Sequence, residues 1–167
     1  MAMKTGREMA GLAVVSLGGG DRLGRIDDIV FRLDTGRVTG FLVDRGGMFS
    51  KPKFLPAAQV QSVGADALTV PSEGVFSDAP TDPAEIAAKS LESRPVLAPA
   101  GTVIGKVADV LVETDGLLVP ALLIATGLLP DALHGKPRLP LASVQTIGAD
   151  SVITTQNYDP KAPDARA

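Results

Sequence analysis

The sequence predicts an all-β fold made of two small barrels in tandem, and three observations carry that reading. The chain writes nearly the same words twice, VQSVGAD at Val60–Asp66 and VQTIGAD at Val144–Asp150. Its apolar residues are mostly Val, Leu, Ile and Ala, while aromatics make up only 4% of the 167 residues, with no Trp. Val and Ile favour strands because a branched Cβ fits a pleated, half-buried surface. Finally, 18 Gly and 13 Pro supply turn points for many short strands.

The echo extends over most of the chain. LGRIDDIVFRLDTGRV (Leu23–Val38) matches IGKVADVLVETDGLLV (Ile104–Val119), and KPKFLPAAQVQSVGADALTV (Lys51–Val70) matches KPRLPLASVQTIGADSVIT (Lys136–Thr154). Extra residues fall between the matched blocks, where a loop tolerates them. A fixed internal period is read before any single element. It divides the chain into a first barrel at 10–71, a linker at 72–92, a second barrel at 93–155 and a polar tail at 156–167 that is expected to be mobile.

Within each copy the pattern alternates. Ile29, Phe31 and Leu33 interleave with Val30, Arg32 and Asp34, the period of a sheet with two unlike faces. Asp34-Thr35-Gly36 then turns the chain and Val38–Val43 returns, a hairpin with a glycine loop. The second copy repeats this through Asp115-Gly116. Gly116–Pro130 is uncharged, yet its 15 residues fall short of the ~20 a membrane helix needs. Its alignment with a strand of the first copy makes it a strand buried on both faces, followed by an apolar loop. The repeated VQ(S/T)(V/I)GAD reads as a closing hairpin, with Gly64 at positive φ, Asp66 capping the turn, and Val60, Val63 and Leu68 inside. In the linker, Asp82-Pro83-Ala84-Glu85 has the form of a helix start. It predicts a short helix over Glu85–Leu91, packed through Ile86 and Leu91 against a barrel.

These residues resemble the PRC-barrel family in tandem. The first copy holds Gly24-Arg25-Ile26-Asp27-Asp28-Ile29, Asp34-Thr35-Gly36, Phe41-Leu42-Val43 and Leu55-Pro56. The second holds Gly105-Lys106-Val107-Ala108-Asp109-Val110, Asp115-Gly116, Ala121-Leu122-Leu123 and Leu139-Pro140. The resemblance implies about six strands per copy and no shared catalytic residues. Members of the family include the cytoplasmic domain of a photosynthetic reaction-centre subunit and the C-terminal domain of a ribosome-maturation factor. The more apolar return strand of the second copy implies that its edge is covered by the first copy or by a partner.

Catalytic and ligand chemistry is poorly supplied. With no Cys, disulfides and thiolate metal sites are excluded. His134 is the single histidine, so a zinc site would need carboxylate partners; no metal and no cofactor are expected. Ser50-Lys51-Pro52-Lys53 and Lys4-Thr5-Gly6 imitate penicillin-binding motifs in the wrong order and without the third motif. Gly18-Gly19-Gly20 precedes a strand and is a hairpin loop, not a phosphate cradle. Asp27 and Asp28 point to opposite faces of a strand and cannot share a proton; Asp28 is expected to bond backbone at a bend and Asp27 to face water. The loop from Arg45 to Lys53 is the candidate contact surface, through Arg45, Met48, Phe49, Lys51 and Lys53. The competing reading folds Phe49 and Phe54 back to plug the barrel.

A formal net charge of −3 disfavours nucleic acid as a direct ligand. Met1–Met9 lacks the apolar core of a secretory signal, and no membrane span is expected. With the missing Cys, this points to the cytoplasm. The expected function is therefore a non-enzymatic adaptor that binds another protein, with self-association left open. Ribosome- or RNA-linked processing and a peripheral role on a membrane complex are the alternatives. A barrel of about 60 residues buries only about 60% of its unfolded surface, so a shared interface between the copies would stabilise both.

Overall fold

The computed structural model describes residues 2–48, 50–127 and 136–160. After β1 (Met3–Thr5) and a single helical turn, α1 (Gly6–Met9), come β2 (Ala13–Ser16), β3 (Arg22–Arg32), β4 (Val38–Asp44), β5 (Lys53–Pro56), β6 (Ser62–Val63) and β7 (Ala67–Val70). The second half runs β8 (Glu85–Ala87), β9 (Pro95–Leu97), β10 (Val103–Glu113), β11 (Leu118–Ala125), β12 (Arg138–Pro140), β13 (Val144–Ile147) and β14 (Val152–Thr154). The described residues form two seven-stranded sheets with the same path, β5-β4-β3-β2-β7-β6 and β12-β11-β10-β9-β14-β13. Both copies therefore fold alike, as the internal repeat predicts.

Each sheet takes its seventh strand from the other copy. β1 pairs antiparallel with β10, setting Met3 opposite Glu113 and Thr5 opposite Leu111. β8 pairs with β3 in the corresponding place, Glu85 opposite Arg32 and Ala87 opposite Val30. A short helical turn follows each exchanged strand and buries one large side chain, Met9 or Leu91, both 0% exposed. Residues 3–9, outside the first barrel as read from sequence, thus match 85–91 in role. The exchange places residues of both copies in one apolar cluster that contains Met9, Phe31, Phe41, Leu91, Leu122 and Leu139.

The helix expected over Glu85–Leu91 is not formed. Asp82 does cap, its Oδ1 accepting the Ala84 N–H at 2.9 Å. The residues after it extend as β8 and only then coil, as a 3-10 turn at Ala88–Leu91. A helix this short is marginal alone, whereas the edge of β3 offers Glu85–Ala87 a ready ladder. Leu91 is buried in the core as expected, and Ile86 packs against it while staying partly exposed.

The β3–β4 and β10–β11 hairpin tips meet. The Val38 N–H donates to the Leu117 carbonyl at 2.9 Å, and the Val119 N–H donates to the Gly36 carbonyl at 2.8 Å. Arg37 bridges antiparallel to Leu118. Both carbonyls belong to residues in the left-handed region, Gly36 at φ 67° and Leu117 at φ 52°. The sequence suggests Gly116 for the bend, but the strained residue is Leu117, which lacks glycine's freedom. The pair of cross-copy hydrogen bonds and the partial burial of its side chain against the core offset that strain.

Several local expectations are corrected. Gly64 is not among the positive-φ residues; its turn is closed by its own N–H donating to the Ala67 carbonyl at 2.8 Å. Asp66 makes no cap there, and of the three expected inner residues only Leu68 is fully buried. The uncharged segment forms β11, with Val119, Ala121, Leu122 and Ile124 buried but Pro120 exposed, so it is not sealed on both faces. Of the tail, 161–167 lie outside the described residues; within 156–160, Tyr158 packs on the core and donates its hydroxyl to the Arg138 carbonyl at 3.2 Å.

Candidate functional site

The repeated aspartate of each copy is the first place to look for chemistry, because Asp28 is a carboxylate only 8% exposed. β3 breaks register between Ile26 and Asp28, and β10 does so between Val107 and Asp109. The bulge turns each carboxylate toward the segment crossing from the other copy. Asp28 Oδ1 accepts the N–H of Ile29 at 2.8 Å and of Lys89 at 3.1 Å. Asp109 accepts the N–H of Val110 on Oδ1 at 2.8 Å and of Arg7 on Oδ2 at 3.2 Å. Each aspartate thus clamps the other copy's exchanged turn, a use that needs the residue but no reaction. Asp27 points outward to Lys89 Nζ at 3.2 Å.

Burial pushes the Asp28 carboxyl above the ordinary aspartate range, against the two N–H bonds and Lys89, which pull it down. The native state therefore holds this proton more tightly than the unfolded chain. Its stabilising effect is complete below the ordinary value, about 3.9, and is lost as pH rises through the raised one. Both N–H groups converge on one oxygen, so asparagine can serve them without the buried charge. D28N is expected to match or exceed wild-type stability at pH 7.5 and to lose that advantage near pH 4. D28A, which strands two donors, is expected to cost about 2–3 kcal/mol. Urea unfolding at the two pH values measures both, and a D28N as damaging as D28A at pH 7.5 contradicts the clamp.

The sequence-predicted contact residues are scattered in environment. Arg45 leaves β4 with its guanidinium 4.4 Å over the Phe76 ring and its Nε donating to the Leu23 carbonyl at 3.2 Å. Met48 is 87% exposed, and Lys51 is exposed without an ion pair among the described residues. Lys53 lies 3.6 Å from Asp78, both well exposed. Phe49 and His134 lie outside the described residues. Phe54 does fold inward, 7% exposed, with its ring against Gly40.

Sequence reasoning missed a groove at the seam of the copies, about 520 Å³. Leu33, Ile86, Leu141, Val144 and Ile147 supply its apolar walls, and Asp34 stands at its edge. The Asp34 carboxyl is held below its usual range by the Arg32 guanidinium at 2.8 Å. Asp82, 3.1 Å from the same arginine, is lowered first by its bond from Ala84 and then by Arg32. The duplication provides a built-in comparison. The positions equivalent to Leu33, Ile86, Leu141 and Ile147 hold Thr114, Lys4, Ala57 and Val63, while Val144 matches Val60. One side of the seam is thus lined with larger apolar residues than the other. The signal existed in the aligned repeat, but reading it required knowing that 85–87 crosses over.

Among the described residues, no group of three or more His, Asp or Glu side chains could hold a metal ion, and no helix is long and apolar enough to cross a membrane. Fold and surface together define a duplicated small β-barrel protein with strand exchange between its halves. A family model described as the PRC-barrel domain matches residues 1–75, from β1 through β7. Residues 1–75 belong to the PRC-barrel family, and the second half of the chain repeats their strand path. A search of the curated proteins finds no match.

Proposed function

We propose that this chain is a non-catalytic adaptor that seats a segment of another protein in the groove between its two copies. The observation that carries this reading is the difference between the copies at the groove. Identical folds do not require Leu33 and Ile86, because Thr114 and Lys4 build the corresponding positions. Half-exposed leucine and isoleucine in a concave surface favour an apolar partner, since covering them removes apolar area from water. The non-enzymatic part of the proposal rests on the clamping role of Asp28 and Asp109. Ribosome-linked and membrane-peripheral roles draw support from no residue of the groove.

The copies also supply the test. L33T and I86K install the residues of the equivalent positions, so a folded variant is expected. Affinity capture from native lysate with both proteins as bait, quantified side by side, should retain a partner on wild type that drops roughly tenfold on L33T/I86K. Tm should stay within a few degrees. Identical captured sets on the two baits would overturn the groove as the binding surface.

A further inference from the structure

We infer that the first copy carries an oxyanion site, built by Arg22, Arg25 and Arg45, for a phosphate-bearing ligand. The three arginines line one opening of about 350 Å³ at the end of the β3–β4 ladder, with Leu23, Gly24, Asp44 and Gly46. Arg25 sits opposite Asp44 in the ladder. Two of the guanidinium groups are held in place by backbone. Arg25 Nη1 donates to the Gly11 carbonyl at 2.9 Å, and Arg45 Nε donates to the Leu23 carbonyl at 3.2 Å while its plane lies over Phe76. Neither bond consumes more than one of the five donors a guanidinium presents.

Charge balance distinguishes this cluster from the other arginines at the same ladder. Arg32 is neutralised between Asp34 and Asp82. Among the described residues, Arg22, Arg25 and Arg45 form no ion pair. The one acid lining the opening among the described residues, Asp44, accepts the Gly46 N–H at 2.9 Å. Three positive charges facing one negative charge in a concavity repel one another, and an anion relieves that repulsion. Guanidinium forks match the tetrahedral oxygens of phosphate two at a time. A dianion suits the excess charge better than a single carboxylate.

The second copy supplies the control. It builds the same backbone, with Gly105 in the place of Gly24 and Gly127 (φ 77°) in the place of Gly46 (φ 85°). The three arginine positions are Val103, Lys106 and Thr126. Val103 is 63% exposed. The fold therefore does not demand arginine at these positions, and the first copy sets three cations where the second sets one, Lys106. The site shares no residue with the groove and stands or falls separately from the adaptor reading.

The test uses the full chain at low ionic strength, where such contacts are least screened. Pyrophosphate is titrated calorimetrically, and in parallel the protein is sedimented with phosphatidylcholine vesicles containing about one phosphatidylglycerol in five. Saturable binding of pyrophosphate, weakened roughly tenfold or more by R22Q/R25Q and unchanged by K106Q, is the expected result and marks a soluble phosphate as the ligand. Binding to the charged vesicles alone, lost in R22Q/R25Q, supports the site with a lipid headgroup as its source. R22Q alone removes a side chain that makes no hydrogen bond among the described residues, so a several-fold loss there separates ligand contact from misfolding. Absence of binding to both probes, or equal weakening by K106Q, overturns the inference.

Discussion

Truncating Leu91 to alanine is expected to lower the free energy of unfolding by about 3 kcal/mol and Tm by roughly 10 °C, in one transition rather than two. Leu91 is fully buried, and it belongs to the segment that the second half lends to the first. Removing its side chain leaves a cavity in a core that both copies share. Two tandem barrels with separate cores would melt apart, with only one losing stability. Here each sheet depends on a strand from the other, so the damage spreads to the whole molecule. Denaturation followed by circular dichroism, with the calorimetric enthalpy compared with the van't Hoff value, checks both parts. A low-temperature step followed by an unshifted second step would contradict the mutual dependence.

The second large effect concerns a single hydrogen atom. Gly40 is expected to tolerate no methyl group: G40A should cost about 2–4 kcal/mol, the range of overpacking with backbone strain. A Cβ there would meet the Phe54 ring and the Leu55 carbonyl oxygen, because β4 and β5 place Gly40 opposite Pro56. The second copy shows the compensation. Its equivalent residue is Ala121, opposite Pro140, and the position of Phe54 is held by Arg138. G40A combined with F54L should therefore recover part of the loss relative to the sum of the single changes, giving a coupling of about 1 kcal/mol or more in a double-mutant cycle. Strict additivity would assign the glycine to another cause.

Much of this architecture was legible because the chain repeats itself. The hairpins, the Leu-Pro steps that enter 3-10 turns at Ala57–Gln59 and Leu141–Ser143, and the backbone role of Asp28 follow from local patterns met twice. The strand exchange was not legible. MKTGREM and EIAAKSL share almost no letters, since backbone pairing is indifferent to side chains and only Met9 and Leu91 need to be apolar. The linker helix failed for a related reason: capping signals report local preference, and a long-range strand edge outbid it. The groove was hidden with the exchange, as one of its walls is the crossing strand. The arginine trio was split between two hairpin ends, and Arg45 alone drew attention.

The exchange also sets an order of events during synthesis. Arg7 must find Asp109, 102 residues further along the chain. At about 5–20 residues per second on the ribosome, the first strand emerges roughly 5–20 s before its partner exists. For that interval β1 is an unpaired edge with Met9 uncovered, and the nascent first barrel also waits for 85–91. The first barrel can close once 85–91 has emerged, whereas β1 and Met9 stay uncovered until β10 has been made, so the two exchanges are completed in that order.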